Sequence, residues 1–419
     1  MSELKTATVR SLSERVTKGT TPTTLGRAYT SHGVRFLKVE TFAEDGTYVP
    51  GREAFIDDAT NQLLRRSQLV EDDILFSIAG ALGRSTMVER AWLPANTNQA
   101  LAIIRPRKRG EGAVDPRYLL WALRSPQIEC LIDEINVQAA QANLSLEQVR
   151  DFEIPLIPME EQRAVIDALE DTSRLIASLE RAVAKKHAVK QGLMQEVLTG
   201  RTRLSGFSEP WRPVRLGDHV NYVKNVALSR AQLDASSPLR YLHYGDIHTR
   251  SASVLDASVE DMPRAPRVLA RNAGLLQVGD LVFADASEDP EGVGKSVEIT
   301  GVPIDGVIPG LHTITARFDK RVLADGFKSY LQFIAAFRTQ LLALAAGTKV
   351  LATTRAYISR VELTLPDVAE QVAIAEVLRD ADSEIEALER RLEATRAIKR
   401  GMMQELLTGR TRLVGEGAA

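Results

Sequence analysis

The heptapeptide LTGRTRL occurs twice, at Leu198–Leu204 and Leu407–Leu413, an offset of 209 residues. At the same offset Glu161-Gln162 falls on Glu370-Gln371, and Met194-Gln195-Glu196 falls on Met403-Gln404-Glu405. The match runs without a gap from about Asn143 to Leu204 and continues upstream with small indels. FLKVETF at 36–42 answers YLHYGDI at 241–247, DDILFS at 72–77 answers GDLVFA at 279–284, and LGRS at 82–85 answers VGKS at 293–296. A unit of roughly two hundred residues, far longer than any solenoid period, is therefore present as a tandem pair.

Two textures alternate within each copy. Residues 1–158 and 206–367 carry short β-rich runs broken by Gly, Pro, Asn and Asp, with a helical stretch before the last strand, and read as mixed α/β domains. Residues 159–205 and 368–419 open with long helices, since 159–199 and 368–408 hold no proline and one glycine each. A largely apolar seam recurs at 4-3-4 spacing: Val165, Leu169, Thr172, Ile176, Leu179, Val183 and Lys186 in the first, Ile374, Leu378, Ala381, Ile385, Leu388, Leu392 and Thr395 in the second. A 3.5-residue repeat with charges between is the pattern of a coiled coil. Asp367 with Glu370 is expected to form a capping box, and Gly200 and Gly409 suit the left-handed position past each helix end. Because each helix follows its own domain, antiparallel pairing is expected, with the second domain at the far end of the first helix. The expected class is α+β: two pseudo-symmetric mixed α/β domains separated by two long helices that form an antiparallel coiled coil.

Composition narrows the chemistry. No run of 18 apolar residues occurs and the N-terminus lacks a signal-peptide layout, so neither a membrane span nor secretion is expected. Cys130 is the only cysteine, which excludes a disulfide framework and a cysteine zinc site and suits a cytoplasmic setting. The segment Asp289–Ser296 ends in Gly-Lys-Ser but has Asp289 where a phosphate-cradling loop needs glycine, so it reads as a repeated turn. His243, His248 and His312 with Asp246 do not read as a metal set, because His243 and His248 are expected to point to different faces of a strand and turn. No Asn-Pro-Pro-aromatic segment and no Asp…Glu-x-Lys core occurs.

Two globular regions, each followed by an EQ-led helix ending in LTGRTRL, together resemble the specificity subunit of type I restriction-modification systems. IPLIPMEEQ at 154–162, LTLPDVAEQ at 363–371, KGTTP at 18–22 and YLHYGDI are similar to segments of that family. The second copy departs from the pattern, with no Gly-Thr-Pro turn after Val220. The resemblance implies a non-catalytic reader of double-stranded DNA whose two target-recognition domains each read one part of a bipartite, asymmetric target. It also implies two methyltransferase subunits bound through the helices, carrying S-adenosylmethionine, and a restriction subunit that joins them.

Base edges are read by Arg, Lys, Asn and Gln, and phosphates by Lys, Arg, Ser and Thr. The first head offers Lys18, Thr20, Arg27, His32, Arg84, Ser85, Asn96, Asn98 and Gln99, with the basic run Arg105, Arg107 and Lys108 as phosphate contacts. The second offers Lys224, Asn225, Arg230, His243, Lys295, Ser296, Lys349 and Arg355. Neither head is basic: residues 1–158 hold 19 Lys/Arg against 20 Asp/Glu, and 206–367 hold 18 against 18. Modest affinity from this chain alone is therefore expected. For partner binding the helices offer Glu161, Gln162, Arg163, Lys190, Gln195 and Glu196, then Glu370, Gln371, Lys399, Gln404 and Glu405. Near-identical helix ends suit two copies of one partner, while divergent heads suit two unlike DNA sequences. The competing reading is a coiled-coil scaffold that spaces two protein-binding modules and never meets DNA.

Overall fold

A computed structural model of the protein describes residues 5–137, 143–287, 289–345 and 351–413. The chain divides into two compact units, one of residues 1–180 with 390–419 and one of 181–389. Each unit therefore holds one globular region and part of each long helix.

The first unit contains strands β1 (Thr6–Thr8), β2 (Ser13–Lys18), β3 (Val34–Leu37), β4 (Ala54–Ile56), β5 (Ile74–Ser77), β6 (Ser85–Met87), β7 (Ala95–Thr97), β8 (Leu101–Pro106) and β9 (Glu153–Pro155). β2-β8-β5-β6 form an antiparallel sheet, β4-β3-β7 a mixed one, and β1 pairs with β9. The run LAIIRP makes β8 central because both its faces are apolar. Ala102 and Ile104 enter the core shared with Phe76, Tyr118 and Leu169, whereas Leu101 and Ile103 face a second core with Leu75 and Trp92.

The second unit repeats this plan with β10 (Arg212–Arg215), β11 (Val220–Val223), β12 (Arg240–Leu242), β13 (Val254–Asp256), β14 (Leu281–Ala284), β15 (Ala286–Ser287), β16 (Ser296–Gly301), β17 (Val307–Pro309), β18 (Thr313–Phe318), β19 (Leu351–Ala352) and β20 (Glu362–Leu365). The order β11-β18-β14-β16 matches β2-β8-β5-β6, with β13 added at the edge. The parallel pair β12-β17 answers β3-β7, and β10-β20 answers β1-β9. The duplication read from LTGRTRL therefore extends to strand order.

Both long helices, Met159–Val197 and Val368–Leu406, are 39 residues long. They pair antiparallel within each unit. In the first, Glu180 meets Arg396 at 2.7 Å, Thr172 meets Met402 at 3.6 Å and Glu161 meets Arg412 at 2.8 Å. In the second, Lys186 meets Glu384 at 2.7 Å, Lys190 meets Asp382, and Arg203 meets Glu370 at 2.6 Å. The seam holds: Val165, Leu169, Leu179, Ile374, Leu378, Ile385 and Leu392 are buried. Each such side chain contributes about 1.5–3 kcal/mol by leaving water. Gly200 and Gly409 take φ of 70° and 66°, the left-handed conformation expected past the helix ends. Half of the anticipated capping box forms. Asp367 accepts the Glu370 N–H at 2.8 Å, but the Glu370 carboxylate turns to Arg203 instead of returning to Asp367. Among the described residues no helix is long and apolar enough to cross a membrane.

Candidate nucleic-acid interface

In the first head a close backbone approach assembles one loop cluster. Gly19 donates its N–H to the Asn98 carbonyl at 3.1 Å, and a Cβ at this glycine would lie 1.8 Å from the Thr97 carbonyl oxygen. Thr21 donates its hydroxyl to Gln99 beside it. Lys18, Thr20, Asn98 and Gln99 are thus brought together, with Lys18 and Gln99 exposed. Arg27 and His32 are exposed in the following loop, where the His32 ring meets the Ser31 hydroxyl at 3.0 Å. Two groups that the sequence reading missed, Tyr29 and Lys38, pair nearby with the ammonium 5.6 Å from the ring. Lys38 falls opposite His243 when FLKVETF is laid on YLHYGDI, a signal that was present in the repeat.

The other candidates of this head also have partners within the fold. Arg105 clasps the fully buried Asp73 carboxylate at 2.7 and 2.8 Å. That double hydrogen bond also raises the guanidinium pKa. Asn96 is buried and donates to Asn61 and the Leu64 carbonyl at 2.9 and 3.2 Å. Arg84 donates to the Phe42 carbonyl at 2.9 Å, buried Ser85 receives Arg124, Arg107 donates to the Ser13 carbonyl, and exposed Lys108 pairs with Asp72 at 2.6 Å. For Asn96, Ser85 and Asp73 the reason is burial, since a buried polar group must find a partner inside the fold.

Lys224 leaves β11 in the second head much as Lys18 leaves β2, and is exposed. Asn225 donates to the Gly310 and Thr313 carbonyls at 3.3 and 3.1 Å. Arg230 is exposed, as is Arg355, whose guanidinium lies 5.6 Å from the Tyr222 ring. Lys349 lies outside the described residues. The strand and turn expected at His243–His248 is instead a short helix, Tyr244–His248, capped by His243. His243, His248 and His312 surround the Tyr244 ring at centroid distances of 4.4, 6.1 and 5.3 Å. Each ring is also tied to the protein: His243 Nδ1 accepts the Gly245 N–H, His248 Nε2 meets the Ala286 carbonyl, and His312 Nδ1 meets the Asp285 carboxylate at 3.0 Å. Burial holds the His243 pKa below its ordinary value, against the opposing pull of Asp246. Among the described residues no cluster fits a metal ion. Tyr244 and Asp285 were not singled out from sequence, and His312 only within a metal set that was set aside, since their meeting depends on the paired ends of β14 and β18 reaching the segment after β12. Lys295 donates to the His248 carbonyl at 2.6 Å, Asp289 caps Gly292 at 2.7 Å, and Ser296 is buried. The Gly-Lys-Ser turn is therefore held as part of the fold.

The helix ends need a second correction. Glu161, Gln162, Glu370 and Gln371 are buried, so they are not a solvent-facing partner surface. Arg412 grips Glu161 through Nε and a terminal nitrogen, and Arg203 grips Glu370 in the same way, at 2.6 and 2.7 Å in the second case. The second arginine of each LTGRTRL thus locks the start of the opposite helix. Gln162 accepts the Asp115 N–H and Gln371 the Ala324 N–H, both at 2.9 Å, tying each helix start to its head. The repeat of these residues is accounted for by a closure made twice within the chain. Arg163, Gln195 and Gln404 remain exposed; Glu196 and Glu405 are half-buried and accept from Thr202 and Thr411. Lys190 pairs with Asp382, while Lys399 lies 4.8 Å from the Trp121 ring.

Comparison with known proteins agrees with this arrangement. Residues 29–187 match the model of the type I restriction modification DNA specificity domain. The chain is 24% identical over 396 residues to the MjaX specificity subunit of a type I restriction enzyme from Methanocaldococcus jannaschii, an alignment covering 91% of this chain and 88% of that one. The fold is shared with the HsdS subunit of Thermoanaerobacter tengcongensis, at a TM-score of 0.55 and 16% identity over 98% of both chains. A structure reported for complex assembly and conformational transition of the type I R-M system gives a TM-score of 0.60 at 14% identity over 98% of this chain and 99% of that one. With a matching specificity domain over residues 29–187, a relative aligned along most of both chains and a shared fold, this chain is similar to the DNA specificity subunits of type I restriction-modification systems.

Proposed function

We propose that each head reads one part of a bipartite, asymmetric DNA target and that the coiled coil sets the length of the unread spacer between the parts. The chain itself catalyses nothing. Its helices recruit two methyltransferase subunits, which bring S-adenosylmethionine, and a restriction subunit joins through them. The observation that carries this reading is one scaffold made twice with unlike loops upon it. Strand order and helix closures repeat, whereas the loop cluster holds Lys18, Asn98, Gln99, Tyr29 and Lys38 in one head and Tyr244 ringed by three histidines in the other. Equivalent frames with different reading groups suit two different half-sites. The near-neutral heads suit a reader that depends on its partners to enclose the duplex.

Exchanging residues 1–158 for the first head of another specificity subunit tests this reading. Long-read methylation mapping is expected to show one half of the methylated motif changed and the other retained, and alteration of both halves contradicts it. A protein-only scaffold predicts no shift of a random DNA pool in electrophoresis, with or without a co-expressed methyltransferase.

A further inference from the structure

Pseudo-symmetry makes a difference between the two units visible. In the second unit Asp382 receives the Lys190 ammonium and lies 3.3 Å from the Tyr330 hydroxyl. The residues 209 positions away in the first unit are Ser173, Lys399 and Trp121. This register is secured by the contacts of Gln162 with Asp115 and of Gln371 with Ala324, which obey the same offset. Ser173 donates its hydroxyl to the Leu169 carbonyl of its own helix at 2.7 Å and brings no charge. Lys399 consequently makes no ion pair among the described residues. Its ammonium stands over the buried Trp121 ring at 4.8 Å, with the Arg124 guanidinium 5.8 Å from the same ring. Half-burial lowers the Lys399 pKa and the repulsion from Arg124 adds to it, while the attraction of Asp45 and Glu180 opposes both.

Beside these groups opens a cleft of about 460 Å³, floored by Trp121, Arg124, Lys399 and Met403. Exposed Glu44, Asp45, Glu129 and Asp133 stand around it. A half-buried cation that no carboxylate among the described residues touches is short of its best partner, and the cleft has room for one. We propose that this cleft receives an aspartate or glutamate side chain of a methyltransferase subunit, completing from outside the lysine–carboxylate pair that Asp382 completes from within in the other unit. The proposal rests on the reading of function above. Basic residues beside the incoming carboxylate match the four acids at the mouth. Two chemically identical partners are then held unequally, because one unit offers a vacant lysine and the other a satisfied one.

The test uses the full-length chain assembled with the methyltransferase of its own system, treated with a carbodiimide, which joins an amine to a carboxylate it touches. Mass spectrometry is expected to find Lys399 joined to an Asp or Glu of the methyltransferase and Lys190 joined to Asp382. Ser173→Asp supplies the carboxylate internally, and Lys399→Met keeps the stem on Trp121 without the charge. Each is expected to weaken the binding of one of two methyltransferase copies by roughly tenfold or more, the weight of one charge-assisted hydrogen bond in a half-buried cleft. Lys399→Arg is expected to restore binding. Unchanged affinity for both copies in Ser173→Asp and Lys399→Met, or a Lys399 link to a second copy of this chain, overturns the proposal. A wild-type chain that binds no methyltransferase overturns the functional reading itself, and the proposal with it.

Discussion

Replacing Arg105 by alanine leaves the Asp73 carboxylate, which is 0% exposed, with the Val70 N–H at 2.9 Å as its remaining hydrogen bond among those the structure gives it. Two charge-assisted bonds of 2.7 and 2.8 Å are lost. Breaking a buried pair by removing one member costs about 3–5 kcal/mol. The Arg105 side chain keeps 24% of its surface in water, so the lower end applies, about 3 kcal/mol. For a unit of this size each kcal/mol moves the melting temperature by roughly 2–4 °C, giving a fall of roughly 6–12 °C for the first unit by calorimetry. The double variant Arg105→Met with Asp73→Asn is expected to recover much of that loss, since no charge is then stranded. Asp280 and Arg317 repeat the clasp in the second unit, with Gln277 in the place of Val70, so Arg317→Ala is expected to behave alike. An unchanged melting temperature in Arg105→Ala, together with weaker DNA binding and a shallower salt dependence, would refute the argument and return Arg105 to the phosphate-contacting role expected from its basic neighbours.

The reciprocal helix closures predict that Arg412→Ala speeds amide hydrogen exchange over 403–413 and at the start of the first long helix. Arg410→Ala, whose side chain reaches Glu405 only at 4.0 Å on the surface, is expected to leave exchange as it is. Equal exchange in the two variants would show that Glu161 is not what holds that end. A pH dependence follows from Glu298, where burial raises the carboxyl pKa against the pull of the Gly326 and Ser329 N–H groups and Lys328. Its folded-state pKa lies above the unfolded value, so the native state holds the extra proton. Stability from this group is full below the unfolded value, near pH 4.3, and is lost as the pH rises through the folded one. Glu298→Gln is expected to flatten that part of the stability profile, and an unaltered slope in chemical denaturation would count against the assignment.

The division of labour between sequence and fold can be followed residue by residue. The offset of 209, the 4-3 seam and the glycines past the helix ends are local or periodic features, and a period survives without knowledge of what packs against it. From them the pairing of the helices and its direction were legible. What periodicity cannot carry is the partner of a polar side chain. Arg105 and Lys108 look alike in a basic run, yet one clasps a buried carboxylate and the other pairs at the surface. Glu161 and Glu370 read as solvent-facing because they precede the seam, and only the return of the opposite helix brings Arg412 and Arg203 onto them. His312 meets Tyr244 because separate strand ends converge, and Lys399 differs from Lys190 through one residue on another helix, Ser173 in place of Asp382. Secondary structure and duplication are written in spacing along the chain. Which charges are buried, paired or left wanting is decided by groups far apart in sequence, because desolvation and hydrogen bonding act through space.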